Sequence, residues 1–277
     1  MPAKLIDGKK LSEEILAKVG KRVSKLKQKP VLAVVLVGNS PASQLYVEKK
    51  RQACEKVGVQ SKLYSFCESV SQEEVVAQVK ELNSDKSVNG ILVQLPLPKN
   101  FDRNTVLEAV SPAKDVDGFS AENLGKLAIG VEEMISCTAS GIIKMIESTG
   151  TELKGKNCCI VNHSIVVGRP LTMLLLNKNA TVSVCHQFTK NLSEFTKNAD
   201  VLITATGIPG LIKKEMVKEG AIVIDAGIAR VGKKVVGDVE FDSVKEIASA
   251  ITPVPGGAGP MTIACLIENT VKAAENQ

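Results

Sequence analysis

Short apolar runs alternate with amphipathic segments along the whole chain. Residues 31–37 form an unbroken apolar run rich in β-branched side chains, which is typical of a strand covered on both faces. Residues 42–57 have a helical pattern that ends at Gly58, and residues 71–74 fit a capping box that opens another helix. Further strands are predicted at 63–66 and 90–95. This alternation predicts an α/β domain with a parallel sheet over residues 1 to about 118.

A second alternating series begins near residue 138. Strands are predicted at 157–161, 181–185, 201–206 and 221–225, and helices at 164–176 and 192–198. This β-α-β-α-β order is typical of the mononucleotide-binding half of a doubly wound sheet. Residues 233–236 are interpreted as the arm of a short hairpin, and a last helix is predicted from 261 to 274.

Composition places the chain among ordinary globular proteins. Hydrophobic residues make up 44% and charged residues 23%, which excludes a disordered chain. No apolar run approaches the roughly 18 residues of a membrane span, and the N-terminus lacks the apolar core of a secretory signal. Trp is absent and there are only two Tyr and six Phe, so base stacking on aromatic side chains is not expected.

Charge and cysteine content further restrict the possible partners, metal content and cellular compartment. The net charge is +5, and the densest basic stretch, Lys18–Lys29, fits the solvated face of a helix better than a nucleic-acid surface. Weak steering of acidic ligands is a further alternative. The seven cysteines form no C-x-x-C pair, and the chain has only two histidines. We therefore expect no metal site, and we expect reduced thiols in a cytoplasmic protein.

The turn after the first strand of the second series, residues 162–170, is a candidate nucleotide site. It lacks G-x-G-x-x-G, but amides at a helix N-terminus attract phosphate, and Ser164 can cap the helix or bond a phosphate oxygen. A simple strand-to-helix connection is the alternative. Residues 186–190, after the second strand, contain none of the acids that NAD enzymes usually place there. His163 and His186 both fall at this end and together favour NADP, although each alone fits a surface or capping residue.

Three features of the first series are candidates for chemistry. Tyr46 and Lys50 share a helix face, and a lysine there can act as an acid or base if its pKa is lowered. An ordinary surface pair is the alternative. Gln94 ends a strand inside an apolar run and needs a partner, as a functional group or as a satisfied amide. Asp115 and Asp117 flank a turn, where a cation site and a hydrogen bond to a heterocycle are equally open.

Four motifs occur in order along the chain: Tyr46-x-x-x-Lys50, V-Q-L-P-L-P at 93–98, K-D-V-D-G at 114–118 and I-T-P-V-P-G-G-A-G-P-M-T at 251–262. In this combination the chain resembles the bifunctional methylenetetrahydrofolate dehydrogenase/methenyltetrahydrofolate cyclohydrolase family over essentially its whole length. The resemblance implies oxidation of 5,10-methylenetetrahydrofolate with a nicotinamide cofactor, followed by water addition to give 10-formyltetrahydrofolate. Both reactions would share one cleft between two domains.

The resemblance also implies the architecture. An N-terminal three-layer α/β catalytic domain would span residues 1–137, and a Rossmann-like doubly wound NADP-binding domain would span 138–261. The C-terminal helix, 262–277, would pack back on the first domain. The family is usually homodimeric through the nucleotide domain. The implied partner is a small-molecule folate, with no nucleic acid and no membrane, and the implied location is cytoplasmic.

Individual roles follow from the same resemblance. Lys50 would be the key cyclohydrolase residue, acting on water or on the hydrated intermediate, and Gln94 would bond it. Tyr46 would stack on the folate ring and Asp117 would accept hydrogen bonds from the pterin, completing the catalytic set. The remaining implied substrate contacts are Val93, Leu95, Pro255, Gly256 and Gly257, and the implied cofactor contacts are Thr138, Asn162, His163, Ser164, Gln187, Ile228 and Thr262.

The chain departs from the family pattern near the cofactor. The usual G-R of the turn is replaced by Asn162 and His163, and Gln187 stands where Ser or Arg is common. Ala139 replaces a usual proline, which affects a helix start more than the chemistry. NADP is the expected cofactor and NAD the alternative. A monofunctional dehydrogenase, a folate- or nucleotide-binding protein without turnover, and another two-domain dehydrogenase acting on a hydroxy or amino acid are the alternative functions.

Overall fold

The computed structural model describes residues 2–232 and 234–277. Its elements up to residue 147 are β1 (Lys4–Leu5), α1 (Gly8–Val23), β2 (Val31–Val37), α2 (Pro41–Val57), β3 (Gln60–Phe66), α3 (Gln72–Ser84), β4 (Gly90–Val93), α4 (Arg103–Glu108), α5 (Ala121–Ala128) and α6 (Cys137–Glu147). The later elements are β5 (Asn157–Val161), α7 (Gly168–Asn177), β6 (Thr181–Cys185), α8 (Leu192–Thr196), β7 (Val201–Thr204), a 3₁₀ turn (Lys214–Met216), β8 (Ile222–Asp225), β9 (Ala229–Val231), β10 (Lys234–Val236), α9 (Phe241–Val244), β11 (Ala250–Ile251) and α10 (Ala258–Glu275).

One compact unit, the three-stranded unit, comprises Glu13–Cys137 and Ile263–Gln277. Its parallel sheet has the order β3-β2-β4. Every residue of the central strand β2 is buried, as its unbroken apolar run predicts for a strand covered on both faces. Ser71 and Glu74 form the predicted capping box at the start of α3, and Gly58 ends α2 in the left-handed conformation.

The C-terminal helix contributes to the core of this unit. From Ile263 onward its apolar side chains, including Leu266 and Val271, lie in one buried cluster with Val34 and Leu92 of the sheet. A helix whose apolar face has no sheet to cover it would expose that surface to water, so this burial stabilises the unit.

The six-stranded unit comprises residues 2–12 and 138–262. Its sheet has the order β1-β11-β8-β7-β5-β6, with all neighbouring strands parallel. The chain passes from β5 to β6 on one side and then to β7 on the other side of β5. The carboxyl ends of β5 and β7 therefore form a topological switch point, where doubly wound sheets bind ligands.

The structure differs from the prediction at several boundaries. Residues 2–12 pack with the six-stranded unit, because β1 pairs with β11, whereas the predicted first domain begins at residue 1. The helix predicted from 164 begins at Gly168, since residues 162–167 form a turn. Residue 233 of the predicted hairpin arm lies outside the described residues, whereas Lys234–Val236 pairs antiparallel with β9.

A membrane-spanning segment would require a long, strongly apolar helix. Within the described ranges, no helix has the length and apolar character to cross a membrane.

Candidate functional site

Lys50 lies on the buried face of α2. The buried residues of this helix are Ser43, Val47, Lys50, Cys54 and Val57, a spacing that aligns them along one stripe. Lys50 is the charged member of that stripe and is only 8% exposed. A lysine is seldom buried unless its ammonium group has a polar partner, so we expect Lys50 to have one.

Gln94 provides the partner. It follows β4, where its backbone N–H donates to the carbonyl oxygen of Val35 on the neighbouring strand. Its Oε1 accepts a 3.0 Å hydrogen bond from Lys50 Nζ, and its Nε2 donates to the carbonyl oxygen of Leu95 at 2.7 Å. The second bond fixes which end of the amide faces the lysine. The structure thus joins two residues that the sequence separates by 44 positions.

Lys114 and Asp115 of the K-D-V-D-G motif stabilise the loop that contains the motif. Lys114 Nζ donates to the carbonyl oxygens of Leu82 and Asp85. This buried lysine therefore satisfies backbone groups at the end of α3.

Asp115 also serves the loop. Its carboxylate accepts hydrogen bonds from the backbone N–H groups of Gly118 and Ser120 and from the Asn123 side chain. The Asp115 carboxylate therefore accepts structural hydrogen bonds. Of the two roles that the sequence left open, a cation site and a hydrogen bond to a heterocycle, the structure assigns neither to Asp115. Among the described residues no group of three His, Cys, Asp or Glu side chains has an arrangement that could hold a metal ion.

Asp117 is the carboxylate of the motif that interacts with Lys50. Burial raises the pKa of Asp117 to about 6, the positive charge of Lys50 opposes this shift, and Asp115 adds to it. Burial likewise lowers the pKa of Lys50, while Asp117 opposes that shift. The lysine and the carboxylate therefore occupy one electrostatic centre, in which each has a perturbed pKa, as is common at functional sites.

Two thiols border this centre and were not predicted as part of it. Burial raises the pKa of Cys54 to about 12, and it raises the pKa of Cys137 well above its ordinary value. Both thiols are therefore neutral, and they surround the lysine with weakly polar groups. The Asn269 side chain, also not predicted, donates to the carbonyl oxygen of Val116 and thereby ties α10 to the loop. A buried cysteine in a sequence gives no signal that separates this position from an ordinary core residue.

Other predicted substrate residues are distributed over both units. Tyr46 lies one turn before Lys50, is half-buried, and has its pKa raised by burial. Val93 is buried at the end of β4, and Leu95 is half-buried directly after Gln94. Pro255, Gly256 and Gly257 belong instead to the six-stranded unit, in the loop before α10, where the Gly256 carbonyl oxygen accepts from the Lys9 backbone N–H.

The turn after β5 is organised by Asn162. Its Oδ1 accepts hydrogen bonds from Ser164 N, Ser164 Oγ and Gly168 N, and its Nδ2 donates to the carbonyl oxygen of Ala205. A Cβ at Gly168 would lie 2.1 Å from the Asn162 carbonyl oxygen, so only glycine permits this close approach. Asn162 thus ties the carboxyl ends of β5 and β7 together at the switch point.

Exposed rings follow the ends of β5 and β6. The His163 and His186 rings lie 4.9 Å apart, and the Phe188 ring lies 6.0 Å from His186. Phe188 is 77% exposed, and Gln187 is exposed beside it. The structure therefore brings together the two histidines that the sequence analysis assigned to one end of a nucleotide site.

The remaining predicted cofactor residues also lie in the six-stranded unit. Thr138 Oγ1 and Thr262 Oγ1 are 3.1 Å apart and share a hydrogen bond. Ile228 follows β8 and is 47% exposed. The residues present fit a dinucleotide: the sheet has a switch point, the turn after β5 packs closely through Gly168, and no carboxylate of residues 186–190 opposes a 2′-phosphate.

These features define a class: a two-unit α/β enzyme with a dinucleotide-binding sheet and a buried lysine centre. Sequence models of the tetrahydrofolate dehydrogenase/cyclohydrolase family match the chain twice. The catalytic-domain model matches residues 6–117, and the NAD(P)-binding-domain model matches residues 136–277.

Individual relatives agree with these matches. The bifunctional protein FolD of Aquifex aeolicus is 52% identical over 276 residues, covering 98% of this chain and 95% of the relative. The crystal structure of the bifunctional FolD dehydrogenase/cyclohydrolase from Campylobacter jejuni is 48% identical, with a TM-score of 0.97 and 99% of each chain covered. The FolD of Trypanosoma brucei, solved with NADP and an inhibitor, is 32% identical, with a TM-score of 0.97 and coverage of 100% and 98%. The chain belongs to the tetrahydrofolate dehydrogenase/cyclohydrolase family.

Proposed function

We propose that Lys50, held by Gln94 and interacting with Asp117, is the proton-transfer centre of the cyclohydrolase reaction. The chain is a bifunctional enzyme that oxidises 5,10-methylenetetrahydrofolate with NADP and hydrolyses the methenyl product to 10-formyltetrahydrofolate. The observation that carries the proposal is the 3.0 Å hydrogen bond from the buried lysine to an amide whose other end is anchored. A dehydrogenase without cyclohydrolase activity would not need this arrangement.

The hydrolysis requires proton transfers at two atoms. Water forms a C–O bond to the methenyl carbon and loses a proton, and the bond from that carbon to N5 later breaks as the nitrogen takes up a proton. Neutral Lys50 can accept the proton from the attacking water or from the hydrated intermediate, and the resulting ammonium can return a proton. Burial lowers the pKa of Lys50, which makes the neutral amine more accessible near neutral pH.

Gln94 directs this amine. Its Oε1 accepts one N–H of Lys50 in either protonation state, so the lone pair of the neutral amine points away from Gln94. Rotation of the amide would break the bonds to Lys50 and to Leu95 at once. We therefore assign Gln94 the role of fixing both the position of Nζ and the direction in which it exchanges a proton.

Asp117 and Tyr46 are proposed to hold the folate. A pterin presents a ring N–H and an amino group side by side, which match the two oxygens of one carboxylate. Asp117 is suited to accept both, since Asp115 of the same motif already bonds the loop. The half-buried Tyr46 offers a ring face one helical turn from Lys50, and Val93 and Leu95 flank Gln94.

NADP, when bound, accepts the hydride from the methylene carbon. The six-stranded unit is proposed to orient it at the carboxyl ends of its strands. Asn162 and Ser164 would shape the turn for the phosphates, His163 and Gln187 would lie at the 2′-phosphate, and Ile228, Thr138 and Thr262 would line the rest. The proposal rests on the switch point and on the absence of a carboxylate within residues 186–190. NAD is the alternative cofactor.

Replacement of His163 by Ala is expected to raise the Kd of NADP about threefold to tenfold and to leave the Kd of NAD unchanged. The reason is that a 2′-phosphate loses one hydrogen-bonding partner that NAD never uses, at an exposed position where such bonds are moderate in strength. Titration calorimetry with both cofactors measures the two constants, and NAD serves as the internal control. Equal changes for both cofactors would place the His163 ring away from the 2′-phosphate.

We further propose a cytoplasmic homodimer. Strand β6 is the last strand of the sheet order and carries the exposed apolar side chain of Val184, with exposed Phe195 following on α8. A second copy of the chain would cover this edge. Light scattering after size-exclusion chromatography should give twice the mass of 29.4 kDa, and a mass of one chain would refute the dimer.

The cytoplasmic location rests on the cysteines. None of the seven forms a disulfide, which favours a reducing compartment, and cell fractionation can check this location.

A further inference from the structure

Two carboxyl groups are buried at the ends of neighbouring segments in the six-stranded unit. Asp225 ends β8 and is 3% exposed, and Asp238 follows β10 and is 0% exposed. Asp238 Oδ2 accepts hydrogen bonds of 2.6 Å from Thr204 Oγ1 and from Thr206 N. Asp238 therefore binds the carboxyl end of β7.

Asp225 makes the complementary bonds. Its Oδ1 accepts from the backbone N–H groups of Gly227 and Asp238, and its Oδ2 accepts from Val239 N at 2.9 Å. The two carboxyls together therefore tie the end of β7, the turn after β8 and the segment after β10 to one another.

Glycines allow the carboxyls to pack against these backbones. A Cβ at Gly227 would lie 2.0 Å from Asp238 Oδ1, and a Cβ at Gly237 would lie 2.0 Å from Asp225 Oδ2. Asp238 Oδ1 is buried and has no hydrogen-bond partner among the described residues. Any side chain at Gly227 would displace this oxygen, so the turn after β8 and the Asp238 carboxyl fix each other's position.

The charge of the pair is not balanced by a cation among these contacts. All five groups that donate to the two carboxyls are neutral: Thr204 Oγ1 and the backbone N–H groups of Thr206, Gly227, Asp238 and Val239. A buried carboxylate without a cationic partner is costly to hold ionised, so these neutral donors are needed to stabilise the pair. Burial raises the pKa of Asp225 to about 6, its backbone hydrogen bonds oppose this shift, and the negative charge of Asp238 adds to it.

The position of the pair in the sheet connects it to the cofactor. Ile228 directly follows Gly227 and is exposed, and it is one of the proposed cofactor contacts. In the strand order, β6 and β8 lie on opposite sides of the β5 and β7 switch point. Since the proposed 2′-phosphate residues follow β5 and β6, the turn after β8 lies on the side where the nicotinamide half of a dinucleotide would extend.

We propose that Asp225 and Asp238 act as positioning residues that hold Gly227 and Ile228 for the nicotinamide half of NADP. The inference rests on the proposed placement of Ile228 in the cofactor site. The pair itself does not touch the cofactor, because both side chains are buried beneath the turn that they hold.

The test compares two ligands on the full chain: NADP, and 2′,5′-ADP, which lacks the nicotinamide half. Asp238→Ala should raise the Kd of NADP roughly tenfold, which is the effect expected from the loss of one hydrogen-bonded group, and should leave the Kd of 2′,5′-ADP unchanged. Thr204→Val, which removes one donor without changing the shape, should weaken NADP by a smaller factor. Asp238→Asn keeps an oxygen for Thr204 and Thr206 and should bind NADP as the unaltered chain does.

The comparison of the two ligands separates this role from a merely structural one. Both ligands carry the same adenosine half and the same 2′-phosphate, so a general loss of folding or of adenosine binding changes both Kd values equally. The ratio of the NADP Kd to the 2′,5′-ADP Kd therefore reports the nicotinamide half alone, and Asp238→Asn should keep the ratio of the unaltered chain.

Each contrary result has a distinct meaning. If Asp238→Ala weakens both ligands equally, the positioning role is overturned. Ile228→Ala tests the proposed function separately. An unchanged NADP Kd in that variant would remove Ile228 from the cofactor site, whereas a weakened Kd there with no response to Asp238→Ala would overturn the inference alone.

Discussion

Replacement of Lys50 by Met is expected to lower the kcat of methenyltetrahydrofolate hydrolysis about a thousandfold. Met fills a similar volume in the α2 stripe but cannot exchange a proton, and general acid-base catalysis contributes roughly a hundredfold to ten-thousandfold. Met also packs with the apolar members of the stripe, Val47, Cys54 and Val57, so the variant should remain folded. The measurement is the rate of formyl product formation from added methenyltetrahydrofolate, and reduction of NADP with the methylene substrate should persist.

The matched control is Lys49→Met, one position earlier on the same helix. Lys49 is exposed, so this variant makes the same chemical change outside the centre and should hydrolyse at the unaltered rate. Lys50→Arg keeps the positive charge but holds its proton at all working pH values, and it should be as inactive as Lys50→Met. Hydrolysis at the unaltered rate in Lys50→Met would refute the proton-transfer role.

Replacement of Asp117 by Asn is expected to raise the KM for the folate substrate about tenfold to a hundredfold in both reactions. A carboxylate that accepts two charge-assisted hydrogen bonds is replaced by a neutral amide with only one accepting oxygen, and bonds to charged groups contribute about 1.5–3 kcal/mol. The KM for NADP should not change, because Asp117 belongs to the other unit from the predicted cofactor residues. Steady-state kinetics with each substrate varied in turn measures both constants.

Asp115→Asn is the control from the same motif. Asp115 accepts three hydrogen bonds, two from its own loop and one from Asn123 of α5, so this variant should lower the melting temperature and change the folate KM less than Asp117→Asn does. The opposite result, a larger KM effect from Asp115, would show that the folate is recognised by a different carboxylate.

The strands and the lysine centre were predictable for different reasons. Strand β2 at 31–37 matches the prediction residue for residue, because an apolar run bounded by turn residues marks a buried strand. Gln94 is singled out because it places a polar group inside an apolar run, and Lys50 because it shares a helix face with Tyr46. The structure shows why both are tolerated, since each is the other's partner.

Other features had no signal in the sequence. The K-D-V-D-G motif contains two carboxylates, but its spacing does not show which of them accepts hydrogen bonds from the loop. Only the folded structure shows that this carboxylate is Asp115. Strand β1 has two residues and thus no pattern, and only the folded sheet shows that it pairs with β11. Asp225 and Asp238 are 13 residues apart, and only the folded sheet brings the two carboxyls together.

One assay on the purified chain with 5,10-methylenetetrahydrofolate and NADP, in which reduced cofactor and formyl product are followed together, tests the role of the Lys50 centre directly. Both products are expected to form, with the formyl product appearing faster than uncatalysed hydrolysis allows. Reduced NADP accompanied by methenyltetrahydrofolate that hydrolyses only at the uncatalysed rate would contradict the central claim, because the Lys50 centre would then have no catalytic role.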